Sequence, residues 1–299
     1  MNIRTICPHR SVLGEGPVWD PSRGNLLWVD IESGQILEYN NERKEIIILN
    51  AGSRVGCFSI CTDGNLIAGT EEGILRINRT TGKRVIVAQP EASIVGNRFN
   101  DGKTDAKGRF WAGTMPLKEN APLGSLYRIE NTYAVEKLFG EVTISNGICW
   151  SHDNRYMYYI DTVKLGVDRF DFDLESGKLS NKTKLITIDP SDGYPDGMTI
   201  DAEGMLWVAH WGGWQITRWD PSNGKKIGSI RMPASQITSI CFGGTDFKQM
   251  YVTSARRGLS AEQLIKEPLA GSTFVIEGSG FVGTALYLFK VDPLLKELN

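Results

Sequence analysis

Four short segments of this chain set an oxygen-bearing side chain beside or near glycine: Glu15-Gly16, Asn100-Asp101-Gly102, Asn146-Gly147 and Asp196-Gly197. Carboxylate and amide oxygens gathered away from water repel one another or stay unsatisfied unless something positive or hydrogen-bonding lies between them. Oxygen donors of this kind suit a hard divalent ion such as calcium, magnesium or manganese, with water completing the shell. Thiolate-rich zinc chemistry is not indicated, because the three histidines lack partners at ligand spacing. Asn-Gly and Asp-Gly are also ordinary turn pairs. They become a site only if the fold brings them together.

The elements that must do so are strands. Helical periodicity is nearly absent, and short runs rich in Val, Ile, Trp, Tyr and Phe alternate with Gly, Asp and Asn turns along the chain. A unit recurs: GPVWDPSRGNLLWVD with GQILEYN, CFSICTDGNLIAGT with GILRINR, DGKTDAKGRFWAGT with GSLYRIE, NGICWSHDNRYMYYID with GVDRFDFD, DGMTIDAEGMLWVAH with WQITRWD, and TSICFGGTDFKQMYVT with TALYLFKVD. The first apolar residue after each polar turn is Leu26, Leu66, Phe110, Met157, Leu206 and Met250, at gaps of 40, 44, 47, 49 and 44. Several short strands per period of this length predict an all-β fold, a six-bladed β-propeller with four antiparallel strands per blade, as one domain over residues 1–299. Segments 116–124 and 258–273 break the alternation and are expected to be inserted loops.

Phase turns the four segments into a constellation. Glu15, Asn100, Asn146 and Asp196 each precede their marker by 10 or 11 residues, whereas the second and sixth units carry Val55-Gly56 and Ser239-Ile240 there. Pseudo-rotational symmetry puts residues of equal phase on a ring around the axis, so the four donors are expected to converge in the channel. The hairpin turns are supplied separately, by DPSRG, DAKG, SHDNR and DAEG. Arg98, two residues before Asn100, points to the same side of an extended segment. Its fork of donors suits substrate hydroxyl or carboxylate oxygens, or else neutralises neighbouring Asp101. Asp101 itself is expected on the opposite face, as a structural cap. His210 is expected in the core, the tryptophans between blades, and Trp211 or Trp214 beside a pocket.

Composition narrows the partner. The chain of 299 residues has a formal net charge of -2, which argues against a general nucleic-acid or acidic-membrane surface. No window approaches the run of about 18 apolar residues a spanning helix needs, and the N-terminus has no signal-like apolar core; a cytoplasmic protein is expected. The five scattered cysteines suit reduced core thiols; Cys57 and Cys61 on one strand lie about 13 Å apart, too far for a metal pair. Gly278-Ser279-Gly280-Phe281-Val282-Gly283 matches a dinucleotide fingerprint, but TALYLFKVD behind it reads as another strand, with no helix N-terminus for a pyrophosphate.

Taken in order, LGEGPVWD (13–20), RFNDGKTDAKGRFWAGTM (98–115), ISNGICWS (144–151) and YPDGMTIDAEGMLWVAHWGG (194–213) closely resemble the gluconolactonase, regucalcin (senescence marker protein) and luciferin-regenerating-enzyme family, over essentially the whole chain. The resemblance implies a six-bladed propeller with one divalent ion in its channel, calcium first, with zinc, manganese, magnesium or iron(II) as alternatives. It implies that Glu15, Asn146 and Asp196 are metal ligands and that Arg98 and Asn100 contact substrate, moving Asn100 out of the metal ring. Glu119 matches a family substrate contact only with a one-residue shift, and Lys137 is only near the place of a lid lysine found in some members. The implied function is hydrolysis of a sugar lactone, such as glucono-, xylono- or arabinonolactone, to the aldonic acid, with Asp196 as general base; the sequence does not fix the oligomeric state, and a monomer is favoured. Two rival readings use the same oxygens: an organophosphate or aryl-ester hydrolase of the calcium-propeller type, and a calcium-binding propeller without catalysis.

Overall fold

The computed structural model describes residues 1–295 and contains six four-stranded antiparallel sheets arranged as a β-propeller. Blade one is built from Gly14–Asp20, Asn25–Asp30, Gln35–Asn40 and Glu45–Asn50, in that spatial order. Blades two to five repeat the pattern, with innermost strands Val55–Ile60, Asn97–Thr104, Ser145–Trp150 and Tyr194–Ile200. Each phase marker opens the second strand of its blade or lies within its first two residues. The markers from Leu26 to Met250 are fully buried, so the repeat is a repeat of core positions.

Blade six differs from the expected chain tracing. Its strands run Ile237–Gly243, Gln249–Ser254, Phe274–Glu277 and then Asn2–Thr5 from the other end of the chain, with Thr5 opposite Phe274. The third strand is thus TFVIE, and TALYLFKVD is no blade strand. Residues 282–292 instead cross one end of the channel. Val282 O accepts from Ala202 N of blade five at 2.8 Å, and Phe289 N donates to Ile60 O of blade two at 2.9 Å. Phe289 is fully buried among Cys57, Cys61 and Phe110, and its ring stacks on Tyr133. The alternation that suggested a strand reflects which side of this strap faces the blades. As expected, no α-helix follows the glycine-rich GSGFVG among the described residues.

Hairpin aspartates lock the blades. Asp105 Oδ1 accepts from Lys107 N and Arg109 N at 3.0 Å each, while Oδ2 accepts Trp111 Nε1 at 2.8 Å. Asp201 repeats this with Glu203 N, Met205 N and Trp207 Nε1. Each fully buried indole contributes up to about 3 kcal/mol of burial, with its N–H satisfied by the turn that precedes it. All five cysteines are free and buried. The sole α-helix among the described residues, Ala261–Lys266, lies in the 258–273 insertion and is closed at its start by a Ser260–Gln263 capping box. Among the described residues no helix is long and apolar enough to cross a membrane.

Candidate metal and substrate site

All six innermost strands carry a register shift at the same place, between Glu15 and Val18, Val55 and Cys57, Phe99 and Gly102, Ser145 and Ile148, Pro195 and Met198, and Ile237 and Ser239. A bulge leaves residues unpaired, bends the strand and re-aims its side chains. The four oxygen donors sit at or beside these bulges. Two neighbouring glycines are there for space: a Cβ on Gly197 would come 2.2 Å from Ser239 Oγ, and one on Gly147 would come 2.6 Å from Met198 Cβ. Adjacent inner strands therefore approach closely where the donors project.

The donors do converge. Glu15, Arg98, Asn100, Glu119, Asn146 and Asp196 all line one cavity of about 240 Å³, with Trp211 and Tyr194 on its walls. Trp214 lies elsewhere, its ring under the Arg231 guanidinium. Asn100 links the two halves of the set: its Nδ2 donates to Asn146 Oδ1 at 3.1 Å and to Ser145 O at 2.6 Å, and its Oδ1 accepts Arg98 Nη1 at 2.6 Å. Asn146 is fixed from its other end, because Nδ2 donates to Thr162 Oγ1 at 2.8 Å while that hydroxyl donates to Pro195 O at 2.8 Å. The amide oxygen of Asn146 is thereby held facing Asn100. Upstream, Asp161 accepts from Ile144 N at 3.0 Å, and Asp30 accepts from Leu13 N at 3.0 Å, pinning the segments that deliver Asn146 and Glu15.

Electrostatics mark the floor of this cavity. Burial pushes Glu15 up to about 8, with the Asp101 carboxylate adding to the shift and the Gly16 N–H opposing it. Asp196 is raised well above the usual carboxylate range, by burial first and then by Glu15 beside it. The two carboxyl groups are close enough to share a proton. Such a pair is costly when both groups ionise and relaxes when a cation lies between them. With the amide oxygen of Asn146 the donor set is hard and all-oxygen, which fits a divalent ion. Among the described residues no three His, Cys, Asp or Glu side chains come together; the third side-chain oxygen lining the cavity with the two carboxyl groups is that of an amide.

Arg98 is buried, and burial lowers it to about 10. Among the described residues it makes no ion pair, with Asp101 or any other acid; Nη1 bonds Phe99 O and Asn100 Oδ1, leaving Nε and Nη2 unengaged. Asp101 is a cap, as expected, its Oδ1 accepting Gly102 N at 2.7 Å, and it does not share the cavity of Asn100. The bulge at Asn100 breaks the period-2 alternation and turns Asp101 toward the other half of the channel, where it lines a larger cavity of about 520 Å³ with Lys103. That cavity is bounded by the strap residues Ala285 to Leu288 and contains none of Glu15, Asn146 and Asp196. His210 is fully buried, its Nε2 2.6 Å from Thr217 Oγ1. Lys137 lies on the outer strand Val135–Val142, away from the cavity lining.

Sequence reasoning missed Thr162 and Arg257. Thr162 follows the second strand of blade four, where nothing in ITS neighbours signals a contact with Asn146. Arg257 stands just before the 258–273 insertion and reaches the cavity mouth, where Nη1 lies 2.7 Å from Glu119 Oε1.

Comparison with known proteins agrees with this architecture. Residues 13–256 match the family described as the SMP-30/Gluconolactonase/LRE-like region. Bovine regucalcin is 39% identical over 293 residues, covering 96% of this chain and 98% of its own. Human regucalcin is 37% identical over 295 residues, covering 97% and 98%. The crystal structure of a calcium-binding protein, regucalcin, from Agrobacterium tumefaciens superposes with a TM-score of 0.93 at 29% identity, covering 97% of this chain and 98% of that one. The chain therefore belongs to the SMP-30/gluconolactonase/LRE-like family.

Proposed function

We propose that this protein hydrolyses a sugar lactone to the open aldonic acid, with Glu15, Asn146 and Asp196 holding one divalent cation, calcium first among the candidates, and residues 1–299 acting as one unit. The observation that carries the reading is the Glu15–Asp196 carboxyl pair, buried beside an amide oxygen in a cavity that also receives the unpaired Arg98 guanidinium. A bound cation supplies positive charge for a carbonyl oxygen that gains negative charge during acyl transfer. Arg98 donates from Nε and Nη2 to the substrate's hydroxyl oxygens and is aimed by Asn100. Asp196 accepts the proton of the attacking water at a carboxylate oxygen. Trp211 and Tyr194 cover the less polar faces of the ring and keep bulk water out.

The same apolar walls, with Leu13, Ile31 and Ile144, favour aryl-ester hydrolysis as a second reading. Metal analysis of the freshly purified protein, with acid release measured on aldonolactones, aryl esters and phosphotriesters, separates the two. Turnover of lactones that disappears with the metal supports the proposal. Full activity after metal removal overturns it, and a metal-loaded protein inert on the whole panel favours a binding role.

A further inference from the structure

The cavity mouth is spanned by a single ion pair between opposite inserts. Arg257, at the edge of the blade-six insertion, places Nη1 2.7 Å from Oε1 of Glu119 in the blade-three insertion, and both residues line the cavity. The two anchors differ in how many contacts hold them. Arg257 is rooted in the fold, with its N–H on Val12 O at 2.9 Å and its carbonyl accepting Gln236 Nε2 at 3.1 Å. Glu119 stands on a left-handed backbone at φ 56°, an uncommon place for a residue with a side chain, and its N–H closes a turn to Pro116 O. Among the described residues its only ion-pair partner is Arg257. Arg257 is in turn steadied from behind, since Glu32 lies 3.3 Å from its Nε and is itself held by Arg54 at 2.8 Å. The side with more anchoring contacts thus holds the side with fewer.

We propose that Arg257 is a positioning residue that holds Glu119 across the mouth and restricts the site to ligands of one sugar ring. The specificity claim rests on the lactone reading above; the pairing itself does not. The cavity beneath, about 240 Å³, is below the size of pockets that take drug-sized molecules, of order 300 Å³ upward. Both partners are about a third exposed, at 37% and 35%, and such pairs are weak enough to open on each catalytic cycle. The pair acts as a latch whose strength tunes entry.

The test uses the metal-loaded full-length protein and the variants Arg257→Ala, Arg257→Lys and Glu119→Gln. Hydrogen exchange of amides 117–123, measured without substrate, is expected to speed up in Arg257→Ala and Glu119→Gln and to recover in part in Arg257→Lys. On a single-ring hexonolactone, Arg257→Ala is expected to raise KM about three- to tenfold with kcat within about twofold. Relative kcat/KM on a two-ring aldobionolactone should rise in the same variant. Unchanged loop exchange in both pair-breaking variants overturns the latch. A fall in kcat or in metal affinity with KM unchanged overturns it too, because that result places Arg257's effect at the cavity floor. If wild-type protein turns over no lactone while loop exchange responds as expected, the pairing stands and the lactone reading falls. Should Arg257→Ala fold poorly, Glu119→Gln breaks the same contact from the other side.

Discussion

Asn100 Nδ2 lies 3.1 Å from Asn146 Oδ1, while Asn100 Oδ1 accepts the Arg98 guanidinium at 2.6 Å, so one amide ties Arg98 to Asn146 across the cavity. Both ends of that amide are spent on protein partners. Asn100 therefore works by orienting Arg98 and Asn146 more than by offering free atoms of its own. Asn100→Asp keeps an acceptor for Arg98 but loses the donor to Asn146 and Ser145. It is expected to weaken metal affinity about tenfold, as loss of an outer partner of a ligand does, with a smaller rise in KM than Asn100→Ala. Calorimetric metal titration beside steady-state kinetics checks this; a change in KM alone would place Asn100 on the substrate side only.

The two buried carboxylates should separate by role. Asp196→Asn keeps size and an oxygen donor but removes the proton acceptor, and a fall in kcat of about 10²- to 10⁴-fold is expected, the range of general base catalysis. Glu15→Gln, with its partner Asp196 still present, should lose mainly metal retention and regain turnover at high metal concentration. Activity against metal concentration for both variants distinguishes them. Near-normal turnover in Asp196→Asn would remove it from proton transfer.

In the absence of metal, stability should depend on pH in the direction opposite to ordinary acid denaturation. Glu15 titrates at about 8 in the fold, chiefly because it is buried, against 4.5 as the unperturbed value. Between those pH values the folded protein binds more protons than the unfolded chain, so stability falls as pH rises through the window. Metal-free protein is expected to melt at progressively lower temperature from about pH 6.5 to about pH 8, above the range in which buried His210, lowered to about 4, opposes the trend. Saturating divalent ion should flatten that slope, since the bound cation takes over the proton's place, and metal binding near neutral pH should release protons. Thermal scans of chelated and loaded protein across that range, with buffers of different ionisation enthalpy for the proton count, provide the check. A rising melting temperature in the chelated protein would contradict it.

These predictions rest on different parts of what the sequence discloses. The blade repeat and the donor phase were legible because each second strand carries a buried apolar residue in its first two positions and the bulge recurs at a nearly fixed distance before it. Asp101 is legible as a cap, but not the chamber it lines, because strict alternation fails at a bulge and no local signal separates a paired strand from a bulged one. The closure of blade six by Asn2–Thr5 was hidden for a different reason: its pairing partner, Phe274–Glu277, lies at the far end of the chain. TALYLFKVD alternates like a strand, yet Phe289 and Val291 are buried against neighbouring blades while Tyr287 and Leu288 stay about half exposed. Arg257 carries no motif at all. Its place at the mouth comes from the two inserts meeting in space.

The strap gives a last prediction, which separates stability from catalysis. Phe289 is fully buried, packs with Cys57, Cys61 and Phe110, and its backbone pairs with Ile60 and Thr62 of blade two. Truncating a phenylalanine in such a place removes its burial and leaves a void, at a cost of about 3–5 kcal/mol. Phe289 lies at the opposite end of the channel from Glu119 and does not line the candidate site. Phe289→Ala should therefore lower the denaturation midpoint substantially while leaving KM near the wild-type value at temperatures where the protein stays folded. Urea unfolding and lactone kinetics on one preparation test both halves. If KM shifts along with the midpoint, the strap is coupled through the inner strand Val55–Ile60 to the floor of the site, and the two chambers are not independent.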